Sequence, residues 1–169
     1  MQMSDTRQIA ATPAQVYAAL LNPEMLKACV PGATEVEGSP EAGFLATVVQ
    51  KVGPVKATFK GEVTITDMVQ DVSLRIDGAG KGGAAGFAKG GADVRVSPSE
   101  GGCELSYDVE AKVGGKLAQL GSRIIDGFAK KMAEQFFNNL QEALEGPKDE
   151  TDGNDEAPVK KGWFGKSKS

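Results

Sequence analysis

There is no histidine among the 169 residues. Its absence removes the commonest general base, the usual activator of serine and cysteine nucleophiles, and the commonest metal ligand. A hydrolase or a metalloenzyme is therefore disfavoured, and neither catalytic residues nor a metal are expected. Cysteine is scarce too: Cys29 and Cys103 are far apart and match no CxxC or zinc spacing, which predicts buried thiols in a reducing compartment. Basic residues are outnumbered, 19 Lys and Arg against 23 Asp and Glu for a net charge of -4. Such a balance speaks against nucleic-acid binding, which depends on neutralising phosphates. No apolar run approaches the roughly 18 uncharged residues needed to span a bilayer. The opening residues lack both the basic start and the apolar stretch of a secretory signal, so a cytoplasmic protein is expected.

What the chain does have is an apolar stripe near its C-terminal end. Leu117, Leu120, Ile124, Phe128, Met132, Phe136 and Leu140 recur in steps of three and four. That spacing predicts one long amphipathic helix over 114–145, its apolar side widened by Gly121, Ile125, Phe137 and Leu144. Gly121 and Gly127 inside it each cost about 1 kcal/mol relative to alanine. Close packing on a sheet or room for a ligand would account for them, and spacing does not choose between the two.

Upstream the period changes to two. In the run 55–67, Val55, Ala57, Phe59, Val63 and Ile65 alternate with Lys56, Thr58, Lys60, Glu62 and Thr64, the pattern of a strand with one dry and one wet face. Val72, Leu74 and Ile76 repeat it, as do Cys103, Leu105, Tyr107, Val109, Ala111 and Val113. Turn residues at Gly53-Pro54, Gln70-Asp71 and Gly101-Gly102 join these runs into a meander. Before them, residues 4–11 read as an opening strand. Thr12-Pro13 and then Pro23 start two short helices, over 13–21 and 23–28, the second stopped by Pro31-Gly32. The expected fold is α+β: a curved antiparallel sheet of six to seven strands wrapped around a long C-terminal helix, with two short helices after the first strand.

Two further segments stand out. Residues 78–91, GAGKGGAAGFAKGG, formally contain GxGxxG, yet both flanks are strand-like, whereas a dinucleotide site needs a strand-to-helix turn. A sharply bent hairpin, or backbone left open to a ligand or partner, is the better reading. After Glu145 the composition turns acidic and poor in large apolar groups, predicting a disordered linker over 146–159. A basic-aromatic tip follows over 160–169. There Lys160, Lys161, Lys166 and Lys168 surround Trp163 and Phe164, a composition suited to weak attachment to anionic lipid or to a partner protein.

Taken together, Leu26-Lys27-Ala28-Cys29-Val30-Pro31-Gly32, Val52-Gly53-Pro54-Val55-Lys56 with Phe59-Lys60-Gly61, the glycine-rich 80–86, and 113–123 leading to Phe136-Phe137 resemble the CoxG family, the G-type component of carbon monoxide dehydrogenase. That family is a branch of the START-like (SRPBCC) helix-grip superfamily. The resemblance covers most of residues 3–145. It implies a non-catalytic accessory protein of a molybdenum hydroxylase of the carbon monoxide dehydrogenase type, helping bring the enzyme to the inner face of the cytoplasmic membrane. It further implies an apolar ligand, quinone or lipid, held between sheet and helix, and no covalent or metal cofactor.

Strand parity and helix phase nominate Met25, Leu26, Val30, Phe59, Val63, Leu117, Leu120, Gly121, Ile124 and Phe128 as cavity residues. The small Ala, Val and Gly side chains on the inner sheet face favour a dry cavity over a filled core. Two rivals are an adaptor or tether with a filled core, and a small cavity enzyme of cyclase or hydrolase type. Such an enzyme would have to use Tyr17, Tyr107 or an inward carboxylate.

Overall fold

The computed structural model describes residues 1–146. Seven strands, β1 (Gln2–Ile9), β2 (Ala33–Ser39), β3 (Gly43–Val52), β4 (Val55–Val69), β5 (Ser73–Lys81), β6 (Phe87–Ser99) and β7 (Gly102–Gly114), form one sheet. Its order is β1-β7-β6-β5-β4-β3-β2, and every neighbouring pair is antiparallel. From β2 to β7 each strand lies beside the next in sequence, the meander predicted from the turns. The opening strand begins two residues earlier than expected and closes the far edge against β7.

Helices α1 (Pro13–Leu20) and α2 (Pro23–Cys29) start where proline and a capping side chain coincide. Thr12 Oγ1 accepts from the Gln15 N–H, and the Gln15 side chain accepts from the Thr12 N–H at 2.9 Å, a reciprocal cap that satisfies two otherwise orphaned donors. Asn22 Oδ1 accepts from the N–H groups of Glu24 and Met25 at 2.8 and 3.2 Å. Tyr17, on the inward side of α1, is 1% exposed and donates its hydroxyl to the Ser73 carbonyl at 3.0 Å.

The C-terminal helix differs from expectation. The chain runs as β7 to Gly114, makes 3₁₀ turns over Gly115–Leu120, breaks at Gly121 with φ of +92°, and only then enters α3 (Ser122–Glu145). The stripe concealed the break because leucines three apart suit a 3₁₀ turn as well as an α-helix. Glycine at 121 is the residue type that adopts a positive φ at no steric cost.

The core gathers at one end of the concave face. Phe44, Leu105, Tyr17, Val16, Ile9 and Leu140 are almost wholly buried there, with Phe137 among them. Cys29 and Cys103 belong to the same cluster as free, buried thiols, and burial raises the pKa of both. Asn139 Nδ2 donates to the Cys29 carbonyl at 2.9 Å, tying the end of α2 to α3. The alternation in β4 and β7 matches the observed burial, but Val72, expected on the dry face, is 48% exposed. It falls in the β4–β5 turn, where the period-two rule no longer applies.

Candidate functional site

Strand register shows which side chains stand together on the concave face. Ala46, Gly61, Gly80, Ala88 and Val113 lie side by side across five strands, and the next rung holds Phe44, Val63, Gly78, Gly90 and Ala111. The middle of the sheet is therefore a floor of glycine and alanine. Two of these glycines are required by the curvature: a Cβ on Gly61 would meet the Ala79 carbonyl oxygen at 2.5 Å, and one on Gly90 the Glu110 oxygen at 2.3 Å. Adjacent strands approach too closely there for any side chain.

α3 crosses this floor without resting on it. A Cβ built on Gly78 has only β4 atoms within 4 Å, the Glu62 oxygen and Val63 Cγ2, both at 3.6 Å. The atoms nearest to Gly61, Gly80 and Gly90 also belong to the sheet. The helix is held at its two ends instead. Toward the start of α3, Ile124 Cγ2 comes within 3.6 Å and the Leu120 methyls within 3.9 Å of the Gly53 Cβ position, at the β3–β4 hairpin. Toward its end, Phe137 stacks on Tyr107 of β7. Between these supports Val55, Ala57, Phe59, Val113, Phe128 and Met132 are half-buried and stand outside the packed core. Apolar side chains that are inward-facing and still partly wetted, over a floor with no bulk, outline a groove rather than a solid interior.

The glycine-rich segment closes one end of the groove. β5 and β6 are joined by 3₁₀ turns over Gly83–Ala85, so the segment is a hairpin and not a strand-to-helix turn. A Cβ on Gly82 would stand 2.5 Å from the Phe59 ring, so the missing side chain is what lets that ring lie against the hairpin.

Of the residues nominated from sequence, Phe59, Leu117, Leu120 and Phe128 lie in the β4, 3₁₀ and α3 segments that border the groove, with Leu117 buried at 3%. Met25, Leu26 and Val63 pack against the core, and Val30 caps the end of α2 half-buried. Ile124 is 41% exposed at the rim. Gly121 is exposed at the break before α3, with nothing within 4 Å of its Cβ position, and so lies outside the helix in which it was expected. The same open space surrounds Gly127, so close packing on the sheet explains neither glycine. The tip residues Lys160, Lys161, Trp163, Phe164, Lys166 and Lys168 lie outside the described residues. Sequence reading missed the floor glycines as a group. Their signal was present, since Gly61, Gly78, Gly80 and Gly90 share the parity of the inward Val63, Ile76 and Ala92.

Titratable groups near the inner face sit at its β1 edge. β1 register places Asp5 opposite Tyr107 and Arg7 opposite Leu105, which brings an acid and a base onto the inward phase of that strand. The Tyr107 phenol is pushed up by burial, further by Asp5 and Glu134, and pulled back by Arg7. Arg7 is engaged with α3, donating to Asn138 Oδ1 at 2.6 Å and Gln141 Oε1 at 3.2 Å. On the opposite, solvent-facing side of the sheet, Arg75 bonds Asp77 and Asp93 at 3.0 Å and lies 3.5 Å from Glu110. These groups neutralise one another over the buried Gly91 in a shallow depression. Among the described residues, no group of three or more His, Cys, Asp or Glu is placed to hold a metal ion, and no helix is long and apolar enough to cross a membrane.

Several solved structures share this architecture. A conserved protein from Geobacillus kaustophilus is 25% identical with a TM-score of 0.79, the match covering 86% of this chain and 95% of that one. A START superfamily protein from Mycobacterium smegmatis is 13% identical with a TM-score of 0.63, over 85% and 97% of the two chains. An uncharacterised protein from Rhizobium leguminosarum is 16% identical with a TM-score of 0.66, over 86% and 94%. The fold is thus the helix-grip fold of START-like proteins. No curated protein matches the chain. The family model for CoxG, the G-type component of carbon monoxide dehydrogenase, matches residues 6–145, nearly the whole described domain, and the chain belongs to that family.

Proposed function

We propose that this protein is a non-catalytic accessory of a molybdenum hydroxylase of the carbon monoxide dehydrogenase type. It carries an apolar molecule, a quinone or a lipid, between the sheet and the C-terminal helix at the inner face of the cytoplasmic membrane. The observation that carries the reading is the glycine-alanine floor with no helix atom near the Gly78 Cβ position. A chain selected only for stability would fill that space, because each buried apolar group adds dispersion and transfer energy. The lining suits a ligand with an extended hydrocarbon part and few polar atoms. Membership in the family supplies the enzyme partner. A carrier of lipid-soluble electron acceptors is the complement such an oxidising enzyme needs. The tip residues 160–169 are proposed as a second contact, with membrane or enzyme.

The test is to extract the purified full-length protein with organic solvent and identify the extract by mass spectrometry, then titrate the stripped protein with a short-chain quinone. A stoichiometric quinone or lipid, or saturable uptake, supports the carrier. An empty extract with no uptake leaves an adaptor whose groove has no cargo.

A further inference from the structure

The fold gathers three sequence segments at the end of the groove framed by the β3–β4 hairpin, the β5–β6 hairpin and the 3₁₀ turns before α3. They are residues 51–61, 78–92 and 111–125, and they contain eight Lys and Arg and no Asp or Glu. The other described residues carry six bases and 18 acids, so the molecule is strongly polarised despite its acidic total. Register makes the arrangement sharper. Lys51 stands directly opposite Lys56, Lys60 opposite Lys81, and Lys89 opposite Lys112. All six are exposed, Lys116 and Arg123 extend the patch toward α3, and the ion pairs among the described residues are made by Arg75 and Arg95, none by these lysines. Like charges directly across a strand pair destabilise a sheet. Three such rungs at one end are a stability penalty with no structural return, the pattern expected where a surface is reserved for an anionic partner.

We infer that this end of the domain docks on an anionic lipid bilayer, so that the groove opens against the membrane. The choice of a bilayer over an acidic protein rests on the carrier reading above and on the apolar groups set among the lysines. Phe87 is 45% exposed, its ring lying where a Gly114 side chain would be, and Ile124 is 41% exposed at the groove rim. Exposed aromatic and aliphatic side chains between lysines enter the headgroup region while the ammonium groups reach phosphate. Lysine, a flexible point charge, suits a fluid layer of headgroups better than a fixed carboxylate pattern.

The experiment compares the full-length protein with the variant Lys56→Gln/Lys81→Gln/Lys112→Gln, which removes one member of each pair. Binding is measured on vesicles of equal parts phosphatidylglycerol and phosphatidylcholine, and on phosphatidylcholine alone. Near a charged surface the three lysines together are worth roughly a hundredfold in partition. The expected result is a loss of about that size on anionic vesicles, wild-type binding that weakens as salt is raised, and a melting temperature that stays level or rises as repulsion is relieved. Undiminished binding of the variant to anionic vesicles overturns the inference, whether or not association with the hydroxylase is lost. Uptake of a short-chain quinone without vesicles separates this from the carrier reading. A variant that takes up quinone but has lost vesicle binding supports docking. A protein that takes up none, yet partitions through its lysines, overturns the carrier and leaves the docking face standing.

Discussion

Tyr107 of β7 and Phe137 of α3 are stacked, with ring centroids 4.7 Å apart and planes 18° from parallel. The pair is where the helix is fastened to the sheet. Phe136 meets Phe137 edge-on at 5.0 Å and the Arg7 guanidinium lies 5.9 Å from its ring, so one buried aromatic joins β1, β7 and α3. Aromatic pairs of this geometry contribute beyond their buried area.

Replacing Phe137 with alanine should therefore destabilise the domain by about 3–5 kcal/mol, lowering the melting temperature by roughly 10 °C. Phe128→Ala, at the half-buried groove side of the same helix, should lower it far less. Thermal unfolding of the two variants measures the difference, and equal losses would contradict a core confined to one end.

The floor glycines should separate into two kinds. Gly90→Ala forces a Cβ against the Glu110 oxygen at 2.3 Å and should destabilise by about 1–3 kcal/mol. Gly78→Leu meets only ordinary contacts at 3.6 Å, so the leucine can project into the groove. The expected outcome is near-native melting with quinone or lipid uptake reduced tenfold or more, read by ligand titration. Native uptake in Gly78→Leu would move the cargo away from the floor.

Stability should be flat with pH through neutrality and fall on the alkaline side. No histidine is present, so no side chain has an ordinary pKa between about 6 and 8. Burial raises Cys29, Cys103, Tyr17 and Tyr107 above their ordinary values of 9.0 for the thiols and 10.0 for the phenols. Unfolded chains thus lose these protons first. The stabilisation is complete below the ordinary values and disappears as pH climbs through the raised ones. Urea midpoints measured from pH 6 to 11 check this, with a constant value to about pH 8 and a decline from about pH 9 upward.

Arg75→Gln should leave Asp77, Asp93 and Glu110 facing one another across the outer side of the sheet. The loss of stability should be largest at low ionic strength and fade in 1 M salt. A loss independent of salt would mean that the side chain acts through packing over Gly91.

Much of this architecture could be read from residue order alone. The capping residues Thr12 and Asn22 followed by proline located both short helices, and period-two alternation assigned the faces of β4 and β7, because local rules act over a few residues. The break at Gly121 was hidden because Leu117 and Leu120 keep a spacing common to two kinds of helix, and a backbone angle leaves no mark on hydrophobic periodicity. The stripe likewise gave Ile124 and Leu140 equal weight, although one is 41% and the other 1% exposed. Which half of a helix meets bulk is decided by the opposite sheet, and that depends on registers between strands far apart in sequence. Asp5 and Arg7 join the inner face for the same reason, through their pairing with β7. The paired lysines are invisible until those registers are known.

α3 spans 24 residues, about 36 Å at 1.5 Å per residue. It starts beside the β3–β4 hairpin and finishes where the Glu145 carboxylate accepts the Ala10 N–H at 2.8 Å. The polypeptide thus departs from the pole opposite the one where lysines gather. A cargo protein or fluorophore spliced on after Gly146 would hang from the back of the molecule, leaving its front free, and a tether attached there would set how far that front can swing.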